Sequence, residues 1–212
     1  MTTSERMPPA LTAELARAAA AIDDDGELPA PERGRMHRTI DDAARRIHPN
    51  AARYVRAKLA LTCAQASLVH VNGSAELRAE SEALLSAIAA AMRGDLDADT
   101  LETLHDSAAA RTDDLLLSGS VDPRTAYALR AGVAAASTLL YDPEPDELGT
   151  PELESDPTDW EACFFTSLAA TGGAVWDGIG DAVERRRFWE WYLAVAVPHA
   201  WDPHTPLIGE AS

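Results

Sequence analysis

Residues 181–198 read DAVERRRFWEWYLAVAVP, and this stretch decides the fold class. Asp181 with Glu184 three residues on has the spacing that satisfies the free N–H groups of a first helical turn, and Pro198 marks the expected end. At 100° per residue from Phe188, the residues Phe188, Trp189, Trp191, Tyr192, Leu193, Val195 and Ala196 span an arc of about 200°. Arg186, Arg187, Glu190 and Ala194 fall outside it. So wide an apolar arc predicts a central helix packed on several neighbours, and its aromatic side chains read as core ahead of a ligand or partner box.

Outward from there the chain offers start and stop signals for helices and almost no strand pattern. Ser74, Asp97 or Asp99, and Asp122 followed by Pro123 are helix-opening residues; Gly73, Gly94, Gly119 and the pair Gly172-Gly173 are stops. A helix over residues 11–22, one opened by Thr39 and Asp42 and ended before Pro49, a long one capped by Asn50, and one from about Thr158 to Thr171 complete the set. The expectation is an all-α chain, a single compact helical domain of about seven or eight helices. Residues 1–35, a helix and a proline-, glycine- and acid-rich linker, are expected to be loosely attached; residues 36–212 form the helical domain.

Composition narrows the function. The 212 residues carry 18 Lys+Arg against 35 Asp+Glu, a formal charge of -17. Nucleic-acid binding needs clustered cations to neutralise phosphates, so none is expected. No stretch is apolar enough to predict a signal peptide or a membrane span, and a cytoplasmic location follows. Acids concentrate in residues 142–161, where Asp142, Glu144, Asp146, Glu147, Glu152, Glu154, Asp156, Asp159 and Glu161 occur with no base. A second acidic block covers residues 95–122. The bases gather in residues 31–58, read here as partly an internal counter-surface for the acidic helices and partly a solvated face.

Catalytic and metal-binding patterns are weak. Glu102 and His105 stand one turn apart, but the di-iron bundles that use this spacing need a second such pair and two further glutamates. Cys63 and His70 sit two turns apart, too far for a nucleophile and its base, and Cys163 beside Phe164 and Phe165 reads as a small core residue. The run Asp23-Asp24-Asp25-Gly26 lacks the spaced ligands of a calcium loop. No glycine-rich phosphate loop or nucleophile turn is present. The sequence therefore predicts no metal, no cofactor and no catalytic residue.

A family pattern runs through the C-terminal third. Trp160, then Gly172, Gly173 and Trp176, then Arg187-Phe188-Trp189-Glu190-Trp191, Pro198 and Trp201 resemble the fifth (Imm5-type) family of immunity proteins of bacterial polymorphic toxin systems. The resemblance is strongest over residues 160–201. It implies a mostly helical protein that binds and neutralises a cognate toxin domain without catalysis; its signature residues are taken as mainly structural, and no toxin-contacting position is carried over. An acidic binder suits a basic partner such as a nuclease domain, whose groove a block of carboxylates can fill. On that reading the nine acids of residues 142–161, with the acidic helix of residues 95–122, form the inhibitory face. The run can equally be a solubilising loop, and the sequence leaves both open. The alternative function is a helical ligand-binding or regulatory domain, or a small enzyme, using an aromatic-lined pocket.

Overall fold

A computed structural model describes residues 7–143 and 150–207. Helices α1 (Pro9–Ala20), α2 (Ala30–Arg45), α3 (Ala51–Ser67), α4 (Ala75–Arg93), α5 (Ala98–Ser118), α6 (Pro123–Tyr141), α7 (Ala162–Thr171) and α8 (Ala182–Trp191) follow in order, and α8 runs through a π-helical turn, Tyr192–Ala196, into α9 (Val197–Trp201). Counting that last run once gives eight helices and no strand among the described residues, the all-α domain expected.

Local chemistry explains most boundaries. Ser74 accepts from the Leu77 N–H, Asp97 from Thr100, Asp122 from Thr125 and Asp181 from Val183, each satisfying a donor that the first turn leaves free. Gly94, Gly119 and Gly172 close α4, α5 and α7 in the left-handed conformation. Asn50, expected to cap α3, has helical backbone angles and makes no side-chain cap bond.

Three boundaries differ from expectation. Helix α2 begins at Ala30, nine residues before Thr39, because Pro29 and Pro31 lie at its start, where a missing N–H costs nothing; Thr39 instead bonds back to the Arg35 carbonyl. Helix α7 begins at Ala162, since Asp156 caps a separate 3-10 turn, Pro157–Asp159, and Trp160 is extended. Pro198 does not end the last helix. In the π turn the Val197 N–H reaches the Tyr192 carbonyl five residues back, and this widened turn admits a proline whose ring would otherwise strike the carbonyl four residues before it. The extra residue also rotates the face, leaving Val195 half exposed while Ala196 and Val197 are buried.

The centre of the molecule is α7, not the C-terminal helix. Every residue of α7 except Ala170 is buried. It packs on α6 and α3, which also pack on each other. The small side chains of α6, Ala128, Ala131, Ala134, Ala135 and Ala136, allow that close approach. Trp189, Tyr192 and Leu193 fill the core from the other side.

Of the first 35 residues, expected to be loosely attached, the described part places Leu11, Ala18, Ile22 and Leu28 in this core. The linker lies on the start of α8, where Arg185 donates to the Asp25 carbonyl at 2.8 Å and Arg186 to that of Asp23 at 2.5 Å. Asp23 Oδ1 accepts from the Glu27 N–H at 2.8 Å, so the Asp-Asp-Asp-Gly run is a structural turn. Glu27 is set between Arg33 and Arg185, at 3.8 and 3.5 Å.

Burial outweighs both arginines and raises the Glu27 carboxyl from 4.5 to about 7, with Asp23 adding a little in the same direction. Between those two values the folded chain holds a proton that the unfolded chain has released. The stabilising contribution is therefore complete below pH 4.5 and is lost as pH rises through 7. Glu27→Gln is expected to be more stable than wild type at pH 8 by about 3 kcal/mol, with the difference closing towards pH 4.5. Urea denaturation of both proteins from pH 5 to 8 checks this; a pH-independent difference would show that Glu27 ionises normally.

Candidate functional site

Helix α2 places Arg33, His37 and Asp41 four residues apart on one face, so all three point inward between Met36, Ile40 and Ala44. All three are buried. Arg56 of α3 lies opposite, and the chain entering α7 supplies Glu152, Glu161 and Cys163. Arg33 Nε donates to Glu161 Oε2 at 2.8 Å, Nη1 to the Leu28 carbonyl at 2.7 Å, and Nη2 to Glu152. Its guanidinium also sits over the rings of Phe164 and Trp189, at 5.1 and 5.3 Å. Arg56 pairs with Asp41 and with Asp142. His37 Nε2 is 3.6 Å from Glu161 Oε1 and 3.5 Å from the Tyr192 hydroxyl.

This network borders a cavity of about 790 Å³, lined further by Arg130, His105, Tyr141 and Trp160. Asp113 of α5, paired with Arg130, lines it together with Glu154, Asp156 and Asp159. The cavity thus brings together the two acidic blocks that the sequence separates by tens of residues.

Burial pushes the His37 pKa down against the upward pull of Glu161, leaving a neutral imidazole at pH 7. Burial pushes the Cys63, Cys163 and Tyr192 groups up, with Glu161 adding to each. Both cysteines are free thiols in the core. Neither has the depressed pKa that would make it a ready nucleophile.

Of the nine acids expected to face a partner, Glu144, Asp146 and Glu147 lie outside the described residues. Glu152 and Glu161 both turn inward onto Arg33, because a buried guanidinium needs carboxylates to balance it. Asp142 is tied to Arg56 and keeps a partly exposed edge. Glu154, Asp156 and Asp159 are exposed, though Asp156 also holds the Thr158 N–H at 2.8 Å. Within the basic block, Arg33 and Arg56 balance acids of residues 142–161. His105, one half of the weak Glu102/His105 pair, has its ring nitrogens 2.9 Å from Asp106 and Ser137.

The signature residues mostly build the frame. Trp160 donates to the Glu152 carbonyl at 3.3 Å and meets Phe164 and Trp176 edge-on, which holds the cavity wall. Gly172 caps α7, and a Cβ on Gly173 would lie 2.9 Å from Ile179 Cγ2. Phe188, Trp189 and Trp201 are buried, Trp191 is half-buried, and Pro198 sits in the run that the π turn allows. Arg187 and Glu190 are exposed, with Arg187 paired to Glu184 in its own helix. The model of the immunity protein Imm5 family matches residues 14–199. The chain belongs to that family. This span includes most of α1, all of α2 and the linker between them, so the Imm5 unit extends further towards the N-terminus than the signature does. No match was found among curated proteins.

Sequence reasoning missed Arg33, His37, Asp41 and Arg56. The available signal was polar residues recurring every four positions beside Met36, Ile40 and Ala44, the pattern of a helix with ionisable groups on its buried face.

Proposed function

We propose that this Imm5 family member binds and neutralises a cognate toxin domain without catalysis, using the acidic rim of its cavity. Family membership over residues 14–199 is the observation that carries the reading. The exposed acids Glu154 and Asp159 line the cavity together with Asp113, and the chain's charge of -17 favours a basic partner such as a nuclease domain. No described helix is long and apolar enough to cross a membrane, and a cytoplasmic site of action fits an inhibitor that meets its toxin inside the producing or the target cell.

The test is titration against the C-terminal domain of the polypeptide encoded beside this gene, at low and moderate salt. Salt-sensitive binding that abolishes the domain's activity is expected. Glu154→Lys/Asp159→Lys should slow association by about tenfold or more at low salt and flatten its salt dependence, because rim charges act mainly on encounter rate. Unchanged kinetics would move the interface away from this rim. The cavity itself supports a second reading, a ligand-binding domain; a thermal shift with small molecules and none with the toxin domain would favour it.

A further inference from the structure

Within the buried network one group of side chains is arranged differently from the ion pairs around it. His37 of α2, Glu161 at the cap of α7 and Cys163 in its first turn each present a donor atom, and these atoms all lie within 4.8 Å of one another. His37 Nε2 is 3.6 Å from Glu161 Oε1, and Cys163 Sγ is 3.1 Å from Glu161 Oε2. Ligand atoms about 2.0–2.3 Å from a tetrahedral zinc ion stand at comparable separations from each other. We propose that His37, Glu161 and Cys163 form a three-ligand site for a thiophilic divalent cation, zinc fitting best, on the wall of the cavity.

Three observations support this over a network that serves stability alone. First, the side chains are at least nine-tenths buried, yet Glu161 Oε1, the oxygen that faces His37 Nε2, has no hydrogen-bond partner among the described residues. A buried carboxylate oxygen without a donor is costly, and a cation bound at Oε1 would satisfy it. Second, the donors are sulfur, nitrogen and oxygen, a set that selects zinc over magnesium or calcium. Third, the surrounding groups behave as supports for ligands. Arg33 Nε holds Glu161 Oε2 and so aims Oε1 at His37 Nε2, the atom that a cation would take over from the Tyr192 hydroxyl.

The nearby guanidiniums do not forbid a cation, since Arg33 is paired with Glu152 and Arg56 with Asp41 and Asp142. All three ligands line the cavity, so a fourth position would open into it. On binding, Cys163 coordinates as thiolate and its proton passes to solvent. The site stands whether or not the toxin-binding reading holds, because its test involves no partner.

Tag-free full-length protein, stripped with chelator, is titrated with Zn²⁺ against a chromophoric competitor and separately with Co²⁺. One equivalent of each is expected to bind, and cobalt should give the near-ultraviolet absorption of a metal–thiolate bond. Cys163→Ser should abolish that absorption and weaken zinc by about 100-fold or more, since even the loss of a supporting group costs 10–100-fold. Cys63→Ser should leave both unchanged. Should Cys163→Ser fail to fold, the wild-type cobalt spectrum decides alone: the absence of stoichiometric binding, or binding without a thiolate band, overturns the proposal. A thiolate band retained in folded Cys163→Ser and lost in Cys63→Ser would overturn it as well.

Discussion

Arg33→Met is expected to lower folding stability by about 3–5 kcal/mol. Methionine matches the volume of the arginine stem, so the loss isolates the charge and its hydrogen bonds from simple packing. The guanidinium is 2% exposed and serves Glu161, Glu152 and the Leu28 carbonyl together. Removing it leaves two carboxylates and a carbonyl facing an apolar wall of Phe164 and Trp189, and an unpaired buried charge costs more than the intact pair contributes. For a chain of this size the loss corresponds to a fall in Tm of about 6–20 °C. Adding Glu161→Gln should restore part of the stability by removing one uncompensated charge. Thermal and urea denaturation of the single and double variants would read both effects. A single-variant loss under 1 kcal/mol would mean that water reaches Glu161 and Glu152 freely, and a double variant no better than the single would place the cost elsewhere than in charge.

The same residues show what was legible in the sequence. Helix ends set by a side chain and an N–H a few residues away, such as Ser74 with Leu77 or Asp122 with Thr125, could be read directly, and so could the stops at Gly94 and Gly119. The all-α class followed from them. The candidate site could not, because Arg33 and Glu161 meet across the intervening helices α3 to α6, and neither has a neighbour in sequence that announces the other. Glu161 illustrates the limit: read along the chain it is one acid of nine, whereas in space it is the carboxylate that a buried arginine and a histidine share. Pro198 fails differently, since its place inside a helix depends on a π turn that no residue pattern before it specifies. The wide apolar arc did identify a helix packed on several neighbours, but the still more apolar α7 took the central place.

The linker offers the sharpest test of how the N-terminal segment is held. Gly26 has φ of 78°, and a Cβ there would lie 2.1 Å from the Ala182 carbonyl oxygen and 3.0 Å from the Arg186 nitrogen. Both obstacles are backbone of α8, so no side-chain rearrangement relieves them. Gly26→Ala must therefore lift the linker from α8, straining or breaking the bonds from Arg185 to Asp25 and from Arg186 to Asp23 and the approach of Glu27 to Arg185. The left-handed conformation adds about 1–2 kcal/mol, and overpacking typically another 1–3 kcal/mol. An overall loss of about 2–5 kcal/mol is expected on those grounds. Gly178→Ala is the matched control: its φ is 64° with nothing within 4 Å of the added methyl, so only the conformational part applies. Limited proteolysis should cut Gly26→Ala between α1 and α2 much faster than either wild type or Gly178→Ala. Equal stability losses and equal proteolysis in the two variants would mean that the linker can leave α8 at little cost, restoring the loosely attached N-terminal segment that the sequence suggests; a larger loss in Gly26→Ala makes the first two helices part of the same cooperative unit as Arg33 and its carboxylates.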